Sequence, residues 1–389
     1  MDALPDTPVR RLWAAVLCGY LALGATLQEL PGYLTGTFAA GPAITGLTVG
    51  AAFAATAVTR PFAGRAGDAG LARLVVMTGG ALTAVAALGH LLAGNVVVLL
   101  VARLVMGAGE GALFSAALPW VLSRAPAGLR GRVTGWFGLS MWGGLACGPL
   151  LAVGFHELGG STAVWWLVLA LPLASTALVA TTPRATGERT RLRPTSWRDL
   201  VPRGVGATGT CLGFAAYGYG TLTALLVLHL TVDGIGGENL GLAVFSVAFL
   251  VVRAAGSPLV DRLGGVRVAQ AVLVVEAAGL VLLATAATSA VALAGAAVTG
   301  AGLSLIFPST ATVTLGRTGA LRPGVAVGAI TSCWDLGILA AGPLGGLVAD
   351  RYGYRPAFLV AAGVALAAFA LTATLTVPGR TGRRSGVSR

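Results

Sequence analysis

Apolar residues along this chain of 389 residues gather into long runs, separated by short polar or Gly/Pro breaks. A helix needs about 20 apolar residues to cross the hydrocarbon core of a bilayer. Twelve runs come close to or exceed that length: 12–33, 43–62, 74–93, 96–121, 134–154, 163–182, 205–230, 240–258, 268–288, 291–313, 325–348 and 357–377. Each predicts a membrane-crossing helix, so the expected fold is an all-α integral membrane protein. Only one break is long and polar. It runs from Pro183 to Arg203, holds Arg184, Arg189, Arg191, Arg193, Arg198 and Arg203, and reads as a linker. The expected organisation is a six-helix bundle over 1–183, an arginine-rich linker over 184–203, a second six-helix bundle over 204–379 and a basic tail over 380–389. Within the linker, Ser196-Trp197-Arg198-Asp199-Leu200 predicts a short helix lying on the membrane surface. The polar start, Met1 to Arg11, leads into the first run without a clean small-residue cleavage site, which predicts a first span and not a cleaved signal.

Composition agrees with the pattern. Hydrophobic residues make up 56% and charged residues 10%, against about 25% charged in a soluble chain. Mean hydropathy is +0.85. Too little charge remains to cover a water-facing surface, which excludes a disordered chain and a soluble nucleic-acid binder. The formal net charge is +12, and all 26 basic residues are arginine. With the N-terminus placed in the cytoplasm and the runs alternating, 23 arginines collect on the cytoplasmic side. Only Arg351 and Arg355 fall on the other side, and Arg103 lies within a run. Both termini and the linker are therefore expected inside a plasma membrane, and the basic balance needs no nucleic acid to explain it. Cys18, Cys147, Cys211 and Cys333 stand far apart in apolar runs. They suggest small packing residues, with no local metal or haem site and no disulfide framework. No G-x-x-x-x-G-K-[ST] segment occurs, so no nucleotide cofactor is expected and an ion gradient must supply energy.

The two halves match at a shift of 193 residues. Cys18 maps to Cys211, Arg60 to Arg253, Asp68 to Asp261, and Gly107-Ala108-Gly109 to Gly300-Ala301-Gly302. Gly148-Pro149 maps to Gly342-Pro343 with one residue inserted. A duplicated bundle with an even number of spans keeps both copies in one orientation, related by an axis along the membrane normal. A site near the midplane between the copies, and alternating access to it, follow from that arrangement.

Three motifs carry a resemblance. Between the second and third runs, Gly64, Asp68 and Arg73 stand in a loop that begins at Arg60, and the mate of this loop holds Arg253, Asp261, Arg262 and Gly264. Both loops resemble the G-x-x-x-D-R-x-G-R loop of the major facilitator superfamily, itself the usual illustration of parallel repeats. The first copy lacks the arginine after the aspartate, and the second has Ser257 at the first glycine. The physical reading is a conformational latch, with a carboxylate at a helix start pairing a facing arginine. The bland alternative is a solvated turn. Arg103-(x3)-Gly107-(x)-Gly109 resembles the superfamily's fourth-span segment. Gly135-(x8)-Gly144-(x3)-Gly148-Pro149 resembles the glycine signature of its drug:proton antiporter branch. That helix is expected to let the eighth span approach closely; ordinary small-residue packing is the alternative.

The acids within runs are Glu29, Glu110, Glu276 and Asp335. A bare charge in hydrocarbon is costly and marks either function or a fixed partner. Arg103, Gly107, Glu110 and Phe114 share one helix face, with Arg103 and Glu110 about 10 Å apart along the axis. The resemblance implies that spans one, four, seven and ten line the cavity, which places Glu29 and Glu110 there. Glu29 also reads as an interfacial carboxylate, Glu110 as a static partner of Arg103, and Asp335 as either a cavity acid or an arginine's partner. Glu276 is the weakest candidate, in a span the resemblance makes peripheral. Proton coupling is expected of Glu110, Arg103, Glu29 and Asp335, and the substrate cavity is expected to include Gln28, Phe114, Tyr217, Trp142 and Trp334. Tyr219 and Trp136 are further aromatic candidates. His90 and His229 read as interfacial, and His156 as a loop histidine.

The resemblance implies a secondary transporter of the major facilitator fold, not an enzyme: a proton-coupled exporter of small, partly apolar organic molecules. Its expected partners are that substrate, protons and the lipid bilayer, with the chain a monomer. A proton-coupled importer of a sugar or organic acid remains open, as does a non-transporting receptor on the same fold.

Overall fold

A computed structural model describes residues 8–123, 130–182, 204–318 and 323–375. The expected linker, with its surface helix, and the basic tail lie outside them. The described chain is helical: α1 Val9–Phe38, α2 Pro42–Ala66, a π turn Gly67–Leu71, α3 Ala72–Leu91, α4 Val96–Ser123, α5 Arg130–Ala180, α6 Val205–Val232, α7 Glu238–Leu263, α8 Gly265–Thr285, α9 Ser289–Ser304, α10 Ile306–Thr318, α11 Pro323–Tyr352, α12 Tyr354–Leu371 and a closing 3₁₀ turn Thr372–Leu375. Helices satisfy every backbone group within the segment, which hydrocarbon demands. Among the described residues, 11 helical stretches are long and apolar enough to cross a membrane.

Two breaks differ from the expected pattern. The fifth and sixth runs form one stretch, Trp136–Ala180, of 45 residues. It leaves helical geometry only at Gly159 and Gly160, where Gly160 takes φ 65°. The expected gap was wider because Phe155, His156 and Glu157 interrupt the apolar pattern, yet they continue the helix. The tenth run is split between α9 and α10 at Leu305.

The internal repeat reappears in the packing. A Cβ at Gly107 would fall on the backbone oxygen of Ala52, and one at its mate Gly300 on that of Phe245, which is the mate of Ala52 at the same shift of 193. Gly109 lies against Thr83, and its mate Gly302 against Glu276, the mate of Thr83. In both halves, therefore, the same two pairs of helices approach until only glycine fits.

Within the first half, α1 packs on α5, and α4 on α2 and α3; within the second, α6 packs on α11, and α9 on α7 and α8. Between the halves the tightest seam is α2 against α11. Gly46 and Gly342 meet there backbone to backbone, and Gly346 meets Pro42. At the Pro42 end, Asp350 Oδ2 accepts the Ala43 N–H at 3.0 Å. Nearby, Gln28 Nε2 donates to the Glu238 carbonyl at 3.3 Å. This end of the molecule is tied shut across the halves.

The α5 glycines require a correction. Gly144 faces Tyr20 and Leu21, and Gly148 faces Gly24 and Ala25. Their partner is α1 in the same half, not the eighth span, α7. Spacing alone does not fix which way a grooved helix face is turned. Gly135 and Pro149 lie on the same helix.

Candidate functional site

Gly46, Gly50 and Arg60 lie at i, i+4 and i+14, one stripe of α2, and meet Gly342, Leu339 and Asp335 of α11. Arg60 thus points into the seam between the halves. Its Nε donates to Asp335 Oδ2 at 2.6 Å and its Nη2 to Oδ1 at 3.4 Å. Asp335 is 1% exposed and Arg60 10%. A forked guanidinium on a carboxylate is among the stronger polar contacts.

Beside this pair stands Glu110 of α4, buried, with Oε1 lacking a hydrogen-bond partner among the described residues. Arg103, Arg60 and Asp335 are the charges within range of it. The buried Tyr20 of α1 belongs to the same group, facing Arg60, Glu110 and Asp335. Arg103 is turned away: its Nη2 donates to the Val49 carbonyl at 3.0 Å and its Nε to that of Thr48 at 3.4 Å. It braces α4 on α2 and forms no ion pair with Glu110.

An aromatic layer fills the space between the halves. The Trp142 ring of α5 lies 4.7 Å from Phe249 and 6.0 Å from Trp334, and Tyr219 lies 5.9 Å from Trp334 and 5.5 Å from Phe245. These five rings line a cavity of about 10 Å³, room for about one water molecule. Trp334 precedes Asp335, so the layer and the ion pair are joined through α11. On the other side the Arg253 guanidinium sits 5.2 Å from the Trp142 ring and 5.9 Å from Phe249. Its Nη1 donates to the Ser304 carbonyl at 3.0 Å.

Other candidates lie elsewhere. Glu29 is buried at the far end of α1, its Oε2 3.0 Å from His156 Nδ1 on α5. Phe114 packs edge-on against Tyr20 within the first half. Tyr217 is buried on the face of α6 opposite Tyr219. Glu276 is buried between Gly218 and Gly302, neither oxygen hydrogen-bonded among the described residues. His90 and His229 are fully buried, not interfacial; His90 Nδ1 bonds the Ala86 carbonyl at 2.7 Å and His229 Nε2 that of Leu283 at 3.0 Å.

The expected latch partners also change. Arg60 takes Asp335, and Arg253 takes Trp142, because each arginine lies about 12 Å along its helix from its loop aspartate and faces the seam. Asp261 and Arg262 are exposed and make no ion pair among the described residues. The Asp68 side chain lies outside the description. Gly64 approaches the Ser115 carbonyl of α4, and Gly264 ends α7 with φ 85°. Arg73 donates to the Ala180 carbonyl at 2.8 Å, capping the end of α5. Among the described residues no group of three His, Cys, Asp or Glu side chains forms a metal set.

The described arrangement has clear relatives. A sequence model of the Major Facilitator Superfamily matches residues 12–255 and 211–388. The chain is 35% identical to an "uncharacterized MFS-type transporter" of Pseudomonas aeruginosa (strain LESB58), over 95% of this chain and 92% of that one. It is 30% identical to the "uncharacterized MFS-type transporter YhhS" of Escherichia coli (strain K12), over 91% and 88%. The crystal structure of the nucleoside transporter NupG superposes with TM-score 0.75 at 13% identity, covering 95% of this chain and 98% of that one, a likeness of fold. With a whole-length sequence match and close relatives over nine-tenths of its length, this chain belongs to the Major Facilitator Superfamily.

Proposed function

We propose that the protein is a proton-coupled secondary transporter of twelve crossings that exports small, partly apolar organic molecules by alternating access. The two parts of α5 on either side of Gly160 count as two crossings, and α9 with α10 as one. Both termini lie in the cytoplasm of a plasma-membrane protein that acts as a monomer. The Arg60–Asp335 pair carries the reading. Its members belong to different halves, so it persists only while the halves meet along α2 and α11, and it breaks when they part.

Proton coupling follows from what stands beside the pair. Glu110 is a buried carboxyl group whose Oε1 has no hydrogen-bond partner among the described residues, and it lies in range of the guanidinium that holds Asp335. Loading a proton onto Glu110 or Asp335 changes the charge that Arg60 meets. A ligand or proton shifts a two-state equilibrium by its different affinity for the two states. Proton binding and opening of the seam are thereby linked. The aromatic layer, with Gln28 near the tied end, takes the substrate once the halves separate. Export as the direction rests on the resemblance of the Gly144/Gly148 helix to the exporter branch. The loops at Asp68 and Asp261 act as latches between states.

The test uses inverted membrane vesicles with an imposed pH gradient, exposed to a panel of organic compounds. Substrate-induced release of the gradient, lost in Asp335→Asn, supports antiport. Proton movement together with substrate in the other direction would establish the importer reading instead.

A further inference from the structure

The internal repeat gives Arg60 and Arg253 equivalent places, on α2 and α7, each facing a helix of the other half. Their partners differ. Arg60 meets Asp335. In the matching helix α5, with the one-residue insertion that relates Gly148 to Gly342, the position equivalent to Asp335 is Met141. Its neighbour Trp142 supplies a ring face to Arg253. One guanidinium at the seam therefore has a carboxylate, and its mate, among the described residues, has aromatic faces and one backbone carbonyl. Arg253 forms no ion pair among the described residues.

We infer that Arg253 is the substrate's charge-reading residue and that the transported molecules are flat aromatic anions, of which an aromatic carboxylate is the simplest. This rests on the reading of the seam as the substrate site. Arg253 sits one turn past Phe249 on the face that carries Phe245 and Phe249, so its guanidinium, with only Nη1 donating among the described residues, borders the aromatic layer. Once the halves separate, Trp142, Tyr219 and Trp334 offer π faces on several sides to a planar ring. A carboxylate on that ring reaches the guanidinium fork, which matches it with two parallel hydrogen bonds. A cation is disfavoured at the same place. The Trp142 and Phe249 faces that would attract it already carry a guanidinium, which repels a second positive charge. A neutral substrate leaves a largely buried guanidinium without the partner its geometry invites. The asymmetry between Arg60 and Arg253 thus has a use: one arginine closes the halves, and the other waits for a ligand.

The experiment is calorimetric titration of the purified full-length protein in lipid nanodiscs with three probes of one shape: 2-naphthoate, 2-naphthylmethanol and 2-naphthylmethylammonium. The anion should bind about tenfold or more tightly than either isostere, the scale of one charge-assisted contact. Arg253→Gln should abolish that preference, and Arg253→Lys should retain part of it. If Arg253→Gln fails to fold, the three probes on the native protein decide alone. Equal or tighter binding of the alcohol or the amine, binding of none of the three, or an unchanged preference in folded Arg253→Gln would overturn the assignment. Counterflow of labelled probe in proteoliposomes separates this from the transport reading. Naphthoate that binds without exchange contradicts transport and supports the anion site. Exchange of the alcohol or amine in preference to the acid contradicts the anion site and supports transport.

Discussion

Asp335 of α11 is held by Arg60 of α2, Nε to Oδ2 at 2.6 Å, although the two residues come from opposite halves of a duplicated chain. The pair is buried on a seam that also holds the close glycine contact of Gly46 with Gly342 and, at its other end, the Asp350–Ala43 hydrogen bond. Removing one partner leaves the other charge buried and uncompensated, which costs about 3–5 kcal/mol. Asp335→Asn and Arg60→Gln should each lower the thermal unfolding temperature in detergent and abolish uphill transport. Arg60→Met with Asp335→Leu should recover most of the stability and none of the transport. Transport in that double variant would show that the pair is scaffold alone.

Glu110 Oε1 has no hydrogen-bond partner among the described residues, whereas Arg103 donates to carbonyls of α2. Glu110→Gln should therefore abolish concentrative, proton-driven transport and preserve substrate exchange, since an amide fills the volume but carries no proton. Arg103→Ala should lower folded yield instead, by removing the donors that join α4 to α2. If Glu110→Gln still concentrates substrate with an unchanged pH profile, Glu110 is structural and Asp335 becomes the carrier.

At the glycine contacts shared by the two halves, overpacking is the expected failure. Gly107→Val and Gly300→Val should each destabilise by about 1–3 kcal/mol or more, because each new side chain meets backbone rather than a movable group. Gly32→Ala, with nothing within 4 Å of the added carbon, should leave thermal unfolding unchanged.

Glu29 and His156 form a contact of a different kind. His156 is 54% exposed and Glu29 7%; with one member in solvent, the contact contributes about 1 kcal/mol. His156→Ala should shift the unfolding temperature little and leave proton-driven transport in place. A loss of coupling comparable to that of Glu110→Gln would move Glu29 into the proton path.

Orientation is checked by single cysteines at Glu157 and Leu263, both exposed, in a background with the four native cysteines replaced. A membrane-impermeant maleimide should label position 157 in intact cells and position 263 only after permeabilisation. The reverse pattern would overturn the arginine-based topology.

Much of this architecture is legible in the sequence because hydrocarbon leaves few solutions: long apolar runs must be helices, and the match of Gly107 to Gly300 predicts matching close approaches. The site is less legible, for physical reasons. Asp335 lies 275 positions from Arg60, and no local spacing announces that contact. The repeat suggests equal roles for Arg60 and Arg253, and the structure gives them different partners. Choosing Tyr217 over Tyr219 turns on helix rotation, since two positions apart means opposite faces. The i, i+4, i+8 stripe Phe245, Phe249, Arg253 is visible in the sequence as one helix face, but nothing local says that this face meets the other half. The glycines of α5 were legible as a groove, but not the neighbour that fills it.

Alternating access as proposed requires the halves to part along α2 and α11, and a reversible cross-link between those helices reads whether they do. A Cβ at Gly50 would stand 3.5 Å from the Leu339 Cα, so the two Cα atoms are at most about 5 Å apart, close enough for a disulfide. In a cysteine-free background carrying Gly50→Cys and Leu339→Cys, oxidation should stop transport and dithiothreitol should restore it. Undiminished transport by fully cross-linked protein would contradict the account.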